Sequence, residues 1–209
     1  MVELLEIFGN DLTVVNAARV SFHKESTEMK LADTKLIAYL AKHNHTSPFF
    51  HPQLRFRIKI PIFVAREWFR HTVGFARNEV SRRYVDSAPE VWFPTEFRER
   101  DPNVKQGSKD TTVDTPEVKK VYYDAMNDAI QAYHTLLEQN VAPEIARAVL
   151  PLSLYTEFIE TGSLAAYARL CKLRLDPTAQ KEIRDYAQQI SDLIEKAFPI
   201  SWKALMENV

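Results

Sequence analysis

The sequence predicts a single mixed α and β domain, and three observations lead there. A chain of 209 residues, 45% hydrophobic and 26% charged, can bury one sizeable core. Residues 53–60, QLRFRIKI, alternate apolar and cationic side chains without a slip, as a half-buried strand does. Residues 179–198, AQKEIRDYAQQISDLIEKAF, place their apolar side chains at helical spacing on one face.

In chain order, DTKLIAYLAKH (33–43) puts Leu36, Ile37 and Leu40 on one face behind Asp33, which suits an N-cap; the helix ends near HNHTSP. The strand at 53–60 turns Leu54, Phe56, Ile58 and Ile60 one way and Arg55, Arg57 and Lys59 the other. Pro61 suits the first turn of a following helix, IFVAREWFRH, because its missing N–H costs nothing there. That helix runs into FRHTVGFARNEVSRRY (69–84), which concentrates four arginines and is either a solvated charged turn or a socket for an anion. The polar stretch 96–117 lacks apolar anchors and reads as a long mobile loop able to act as a lid. Thr115 and Pro116 open a long helix to about Gln139, whose Val118, Val121, Tyr122, Ala125, Ala129, Tyr133 and Leu136 predict a core helix. PEIARAVL forms a short helix. LPLSLYTEFI follows as a second strand through Leu152, Leu154, Thr156 and Phe158, and SLAAYARLCKLRL and AQKEIRDYAQQISDLIEKAF complete the chain as two helices.

Charge and cysteine content narrow the function. With 27 basic against 28 acidic residues, no global field draws the chain to nucleic acid or an anionic bilayer, so an anion site has to be local. The lone Cys171 forms no internal disulfide, and the acids in MVELLEIFGNDL stand where a signal peptide carries basic residues, so the cytoplasm is the natural compartment. No apolar run is long enough to span a membrane. His43, His45 and His51 lack the Cys or carboxylate partners of a tetrahedral metal site; His45 and His51 are better read as bracketing a turn at Ser47 and Pro48. Arg55, Arg57 and Lys59, or Arg82 and Arg83 with Phe75 and Tyr84, would suit RNA, but the balanced charge argues against it.

Arg147 in IARAVLPL and Arg174 in LCKLRLDP sit among apolar neighbours, and a buried guanidinium must be paired. Either a carboxylate of the same chain answers each one, or they join Arg70, Arg83 and the Ser81 hydroxyl around a phosphate, whose oxygens match planar forks bidentately. Arg66 and Arg70 are one helical turn apart, and Glu67 shares a face with Arg70 and His71, the pattern of an ion-pair stripe. Cys171 reads as a small core residue without an activating neighbour.

Taken together, AARVSF (17–22), HTSPFFH (45–51), PIFVAREWFRH (61–71), NEVSRRY (78–84), ARAVLPLSLYTEF (146–158) and LRLDPTAQKEI (173–183) resemble the flavin-dependent thymidylate synthases, in that family's order and over nearly the whole chain. The resemblance implies an α+β fold, a mostly antiparallel sheet flanked by helices, formed by residues 1–209 as one domain. It also implies a cytoplasmic homotetramer with active sites shared between subunits, and no membrane or nucleic-acid partner. The implied reaction transfers a one-carbon unit from methylenetetrahydrofolate to C5 of dUMP, with FAD recharged by NADPH supplying the hydride that gives dTMP. By the same resemblance Glu67, Arg70, Glu79, Ser81, Arg82, Arg83, Arg147 and Arg174 bind the nucleotide. Arg174 and Ser81 act in catalysis, Arg174 by promoting ionisation of the pyrimidine, and Ser47, Arg70, His71, Glu79, Ser163 and Arg169 bind FAD. A guanidinium that keeps its proton stabilises charge on the uracil N3/O2 edge, each pKa unit being worth about 1.4 kcal/mol.

This chain also departs from the family pattern. Thr72 replaces the second arginine of Arg-His-Arg and one extra residue precedes Ser81, leaving Arg77 as a guanidinium to fill the place. Phe50 stands where the family has Glu, Ser163 and Ala165 where it has Asn and Arg, and Glu67 where it has Gln, an added negative charge for Arg66 or Arg70 to neutralise. Departures on the flavin side favour an alternative, a flavin-independent, folate-dependent hydroxymethylase in which water adds to the exocyclic methylene of dUMP or dCMP.

Overall fold

The computed structural model describes residues 1–85, 88–103 and 107–207. Two compact units divide the chain: residues 1–58, 67–78 and 158–209 form the first, residues 59–66 and 79–157 the second.

A four-stranded sheet is built from β1 (Val2–Phe8), β2 (Gln53–Pro61), β6 (Tyr155–Ser163) and β3 (Phe75–Glu79), in the order β1-β2-β6-β3. Its neighbours run antiparallel. Val2 lies opposite Ile58 between β1 and β2, and main-chain bonds tie Leu164 to Pro52 and Ser163 to Gly74. The alternation in β2 is borne out: Leu54, Phe56, Ile58 and Ile60 are buried. On the other face Arg55 pairs with Glu6 and Arg57 with Glu3.

In the first unit, α1 (Asp11–Arg19) and α2 (Leu31–Lys42) precede the strand, and α6 (Leu164–Arg174), α7 (Lys181–Ala197) and α8 (Pro199–Glu207) follow it. The sequence had predicted neither β1, α1 nor α8. Val14, Ile37, Phe49, Phe56, Trp68, Tyr167, Ile190 and Phe198 are fully buried in the core of this unit. Asp33 is not the N-cap of α2; that place is taken by Lys30. Asp33 sits one turn in, where its carboxylate accepts from the Lys30 amide at 3.0 Å and from Arg19 Nε at 3.0 Å.

In the second unit, α3 (Ile62–Trp68) begins as the chain leaves β2, and its last two residues belong to the first unit; it stops short of the predicted His71. Pro61 is the last strand residue rather than the first helical one. The stretch 96–117 is not a bare loop: β4 (Arg98–Arg100) pairs antiparallel with β5 (Ser108–Thr112), held by polar contacts such as Thr111 Oγ1 to Glu99 at 2.8 Å. Val104, Lys105 and Gln106 of that stretch lie outside the described residues, as do Asp86, Ser87, Asn208 and Val209. Helix α4 (Pro116–Glu138) starts as predicted, with Thr115 Oγ1 accepting from the Val118 amide at 3.2 Å and Pro in the first turn. It is not a core helix. Only Tyr133 is buried, and Val121 is 71% exposed, because the helix packs through Tyr122, Met126 and Tyr133 and leaves Val118, Ala129, Ile130 and Leu136 half-buried. After α5 (Pro143–Ala146) and a single 3-10 turn, β6 starts at Tyr155, later than Leu152, and runs beyond the predicted end to Ser163. Among the described residues no helix is long and apolar enough to cross a membrane.

Candidate active site

The end of α3 and the last turn of α6 bring three predicted residues of the first unit together. Arg174 Nη1 donates to Glu67 Oε2 at 3.2 Å, Nη2 to the Glu67 main-chain carbonyl at 3.1 Å, and Nε to His71 Nε2 at 3.0 Å. The expected pairing of Arg174 is thus present, and its partner lies far back in the chain. Glu67 is neutralised by Arg174, not by Arg66 or Arg70. His71 accepts from a cation, so its imidazole is neutral with the proton on Nδ1. Burial first, then the charges of Arg174, Arg77 and Arg169, hold it down to a pKa of about 4. Arg70 is exposed and has no ion-pair partner among the described residues.

Beneath this cluster lies a buried acid. Glu160 on β6 is 0% exposed; Trp68 Nε1 donates to both carboxylate oxygens at 3.2 Å, and Arg77 Nε donates to Oε2. Burial pushes the Glu160 carboxyl up, and Arg77 opposes that shift. The Arg77 guanidinium lies 4.7 Å from the Phe75 ring and 5.4 Å from that of Phe69, a cation–π arrangement. Arg77 therefore turns inward and does not fill the place left by Thr72. Cys171 is fully buried, and burial pushes its thiol well up, as a core residue requires.

Of the residues assigned to FAD, Arg169 is exposed; its Nη2 donates to the Val73 carbonyl at 2.6 Å and its guanidinium lies 5.5 Å from the Phe50 ring. It lines a hollow of about 160 Å³ with Phe49, Ala165 and Lys172. Ser47 is exposed in a short 3-10 turn, Ser47–Phe50. Ser163 is buried, its hydroxyl accepting from the Ala166 amide at 3.2 Å as the N-cap of α6.

The second unit contains an open pocket of about 440 Å³ lined by Arg66, Glu79, Ser81, Arg82, Arg147 and Thr156 among others. Glu79 Oε1 accepts from Thr156 Oγ1 at 2.5 Å. Arg147 is exposed rather than buried, since it sits on the 3-10 turn after α5, and among the described residues its Nε donates to the Glu144 main-chain carbonyl at 3.3 Å. Arg83 bonds Ser81 Oγ at 3.4 Å and lies 5.1 Å from the Tyr84 ring.

These features can be set against known proteins. The sequence matches the family described as thymidylate synthase complementing protein over residues 3–200. The chain belongs to that family. It is 42% identical over 208 residues to a flavin-dependent thymidylate synthase of Thermus thermophilus, covering 100% of this chain and 76% of that one. A flavin-dependent thymidylate synthase of Thermotoga neapolitana is 37% identical over 206 residues, covering 99% and 90%. Among solved structures, the UMP/dUMP methylase PolB from Streptomyces cacaoi bound with 5-Br dUMP superposes with a TM-score of 0.89 at 32% identity, covering 99% of this chain and 94% of that one. The α+β fold with an antiparallel sheet flanked by helices is thus a family property.

In this member of the thymidylate synthase complementing protein family, three site neighbours had escaped sequence reasoning: Glu160, Arg66 as a pocket residue, and Thr156 as the partner of Glu79. Glu160 was within reach of the sequence. Extending the inward parity of Thr156 and Phe158 by two residues places a carboxylate in the core, which demands a cation.

Proposed function

We propose that this chain methylates dUMP at C5, taking the one-carbon unit from methylenetetrahydrofolate and giving dTMP. One observation carries the reading: an open pocket where Arg66, Ser81, Arg82 and Arg147 converge without a carboxylate partner bonded to Arg147, a donor set suited to a phosphate dianion. The names of the relatives and the nucleotide analogue in the methylase structure support it. The reading takes residues 1–209 as one functional domain, in keeping with the family match over 3–200.

Arg70, Ser81, Arg82, Arg83 and Arg147 hold the nucleotide 5′ phosphate and sugar, with Glu79 and Glu67 accepting from its donors. Arg174 stabilises negative charge as uracil N3 loses its proton, which raises electron density at C5. C5 then bonds to the folate methylene carbon, the carbon–nitrogen bond to the folate breaks, and the C5 proton leaves. Ser81 completes the catalytic group through its hydroxyl. No thiol nucleophile takes part, consistent with the buried, protonated Cys171.

The residues present suit part of a flavin: Arg169 and Lys172 rim an apolar-floored hollow with the chemistry for an anionic or ring edge, and its roughly 160 Å³, below the roughly 300–1,000 Å³ of a whole ligand pocket, would take only one portion of FAD. Ser47, Arg70, His71, Glu79 and Arg169 would hold FAD, and Ser163 would support it through the start of α6. The chemistry such a cofactor would supply there, once reduced by NADPH, is the hydride that completes the methyl group. A second reading rests on a specific observation: Phe50, where the family has Glu, lies under Arg169, and the Ser163 hydroxyl is already used as a helix cap. Flavin-independent addition of water would then give a hydroxymethyl nucleotide from dUMP or dCMP.

The assembly we propose is a cytoplasmic homotetramer that shares active sites between subunits. A visible spectrum of the purified protein with and without added FAD, followed by mass analysis of the products from dUMP and from dCMP with methylenetetrahydrofolate and NADPH, tests both readings. A flavin spectrum with dTMP as product supports the first; a hydroxymethyl product formed without flavin supports the second; no product from either nucleotide refutes both.

A further inference from the structure

We infer that Glu67 and His71 are positioning residues that set the orientation of Arg174 before the pyrimidine arrives, an inference that rests on the nucleotide reading above. Arginine has five N–H donors. Three are engaged here, by His71 Nε2 at 3.0 Å, Glu67 Oε2 at 3.2 Å and the Glu67 carbonyl at 3.1 Å. One N–H remains on each terminal nitrogen. The remaining N–H groups can meet only acceptors, and uracil N3 becomes an acceptor only once it has lost its proton. The neutral base offers an N–H there and meets donor against donor. The fixed fork therefore selects the ionised base, and a long side chain that would otherwise lose rotamer freedom on binding is already ordered.

The two partners act differently. Toward Arg174, His71 serves as a neutral acceptor; the guanidinium groups of Arg174, Arg77 and Arg169 around it, together with the Glu67 carboxylate bonded to Arg174, are the charges that bear on it. Glu67 orients the fork and also offsets part of its charge, so it weakens the attraction for an anionic base while fixing where that base must sit. A glutamine keeps the acceptor and the main-chain carbonyl and removes only the charge.

The test uses the full-length protein with 5-bromo-dUMP as probe, whose ultraviolet spectrum reports ionisation of N3, and dUMP turnover in parallel. Glu67→Leu and His71→Leu should each lower kcat about 10- to 100-fold, the range for losing a hydrogen bond to a charged group; KM should move less than kcat, and more in Glu67→Leu than in His71→Leu because Glu67 also accepts from the nucleotide. Glu67→Gln should recover at least about tenfold of kcat over Glu67→Leu, and N3 of the bound probe should ionise at lower pH than in wild type. His71→Gln, which retains an acceptor, should recover kcat over His71→Leu. A purely structural role for Glu67 would leave the N3 ionisation of the bound probe where it is in wild type, and that result overturns the inference. So does wild-type kcat in both leucine variants. If the wild-type protein fails to bind 5-bromo-dUMP at all, the nucleotide reading falls and takes this inference with it, an outcome distinct from binding that is insensitive to residue 67.

Discussion

Replacing Arg77 by methionine removes the cation from the buried Glu160 carboxylate while keeping most of the volume stacked against Phe69 and Phe75. The carboxylate is fully buried and keeps the Trp68 indole N–H and the neighbouring Tyr167 hydroxyl but loses its cation, so in the variant it is expected to become protonated. Bringing a carboxyl that ordinarily ionises near 4.5 to neutrality at pH 7 costs at most about 3 kcal/mol relative to the wild type, in which burial already raises Glu160 part of the way. That reaches the lower end of the loss of about 3–5 kcal/mol found when one partner of a buried pair is removed. The sign of the pH dependence follows from the raised folded pKa. Stability is fully present below the unfolded pKa and is lost as pH rises towards the folded one, so the deficit should be largest at neutral pH and shrink below about pH 5. Urea unfolding followed by tryptophan fluorescence at both pH values measures it, Trp68 being itself bonded to Glu160. The pair Arg77→Leu with Glu160→Leu should restore most of the loss. A single Arg77→Met variant within about 1 kcal/mol of wild type at pH 7, or a deficit equally large in acid, would refute this account of the buried pair.

His71 should titrate near 4, well below an ordinary histidine, in a proton NMR experiment; because its folded pKa is depressed, stability falls as pH drops from about 6.5 towards that value. Arg147→Ala should weaken dUMP binding about 10- to 100-fold in calorimetry with little change in the unfolding midpoint, since the side chain is exposed. Gly162→Ala should destabilise the protein by about 1–3 kcal/mol or more in urea titration, because the added carbon would lie 2.5 Å from the Phe75 ring and 2.9 Å from that of Tyr167. Thr115→Ala should cost about 1 kcal/mol of stability by the same assay, having lost the N-cap bond to Val118.

What could be read from the sequence was what is local. Alternation in QLRFRIKI and the Thr115-Pro116 start specify a strand and a helix through their own side chains, and both formed. Distance in the chain hid the rest. Arg174 among apolar neighbours announces that it needs a partner, but not that Glu67 on another element supplies it. Arg147 stands in the same kind of neighbourhood and is exposed, because a one-turn helix has no inner face to bury it. Helical spacing in α4 marks an apolar face without saying what, if anything, covers it. The hairpin of β4 and β5 is fastened by polar side chains, which leave no apolar period to detect. The arginines assigned to the nucleotide stand out because phosphate chemistry calls for guanidinium groups; Glu160 was passed over because a charge on a strand is ordinarily assumed to face water.

Residues 67–74 lie beside α6 and are fastened to it at both ends and between. The Ser163 amide bonds the Gly74 carbonyl at 3.1 Å where the helix begins, Arg169 holds the Val73 carbonyl, and Arg174 grips Glu67 and His71 where it ends. An 11-residue helix is a rod of about 16 Å that barely stretches, so this segment is splinted along its length. Any movement that ligands induce here must carry strip and rod as one piece, and loosening a single fastening leaves the others to keep the register.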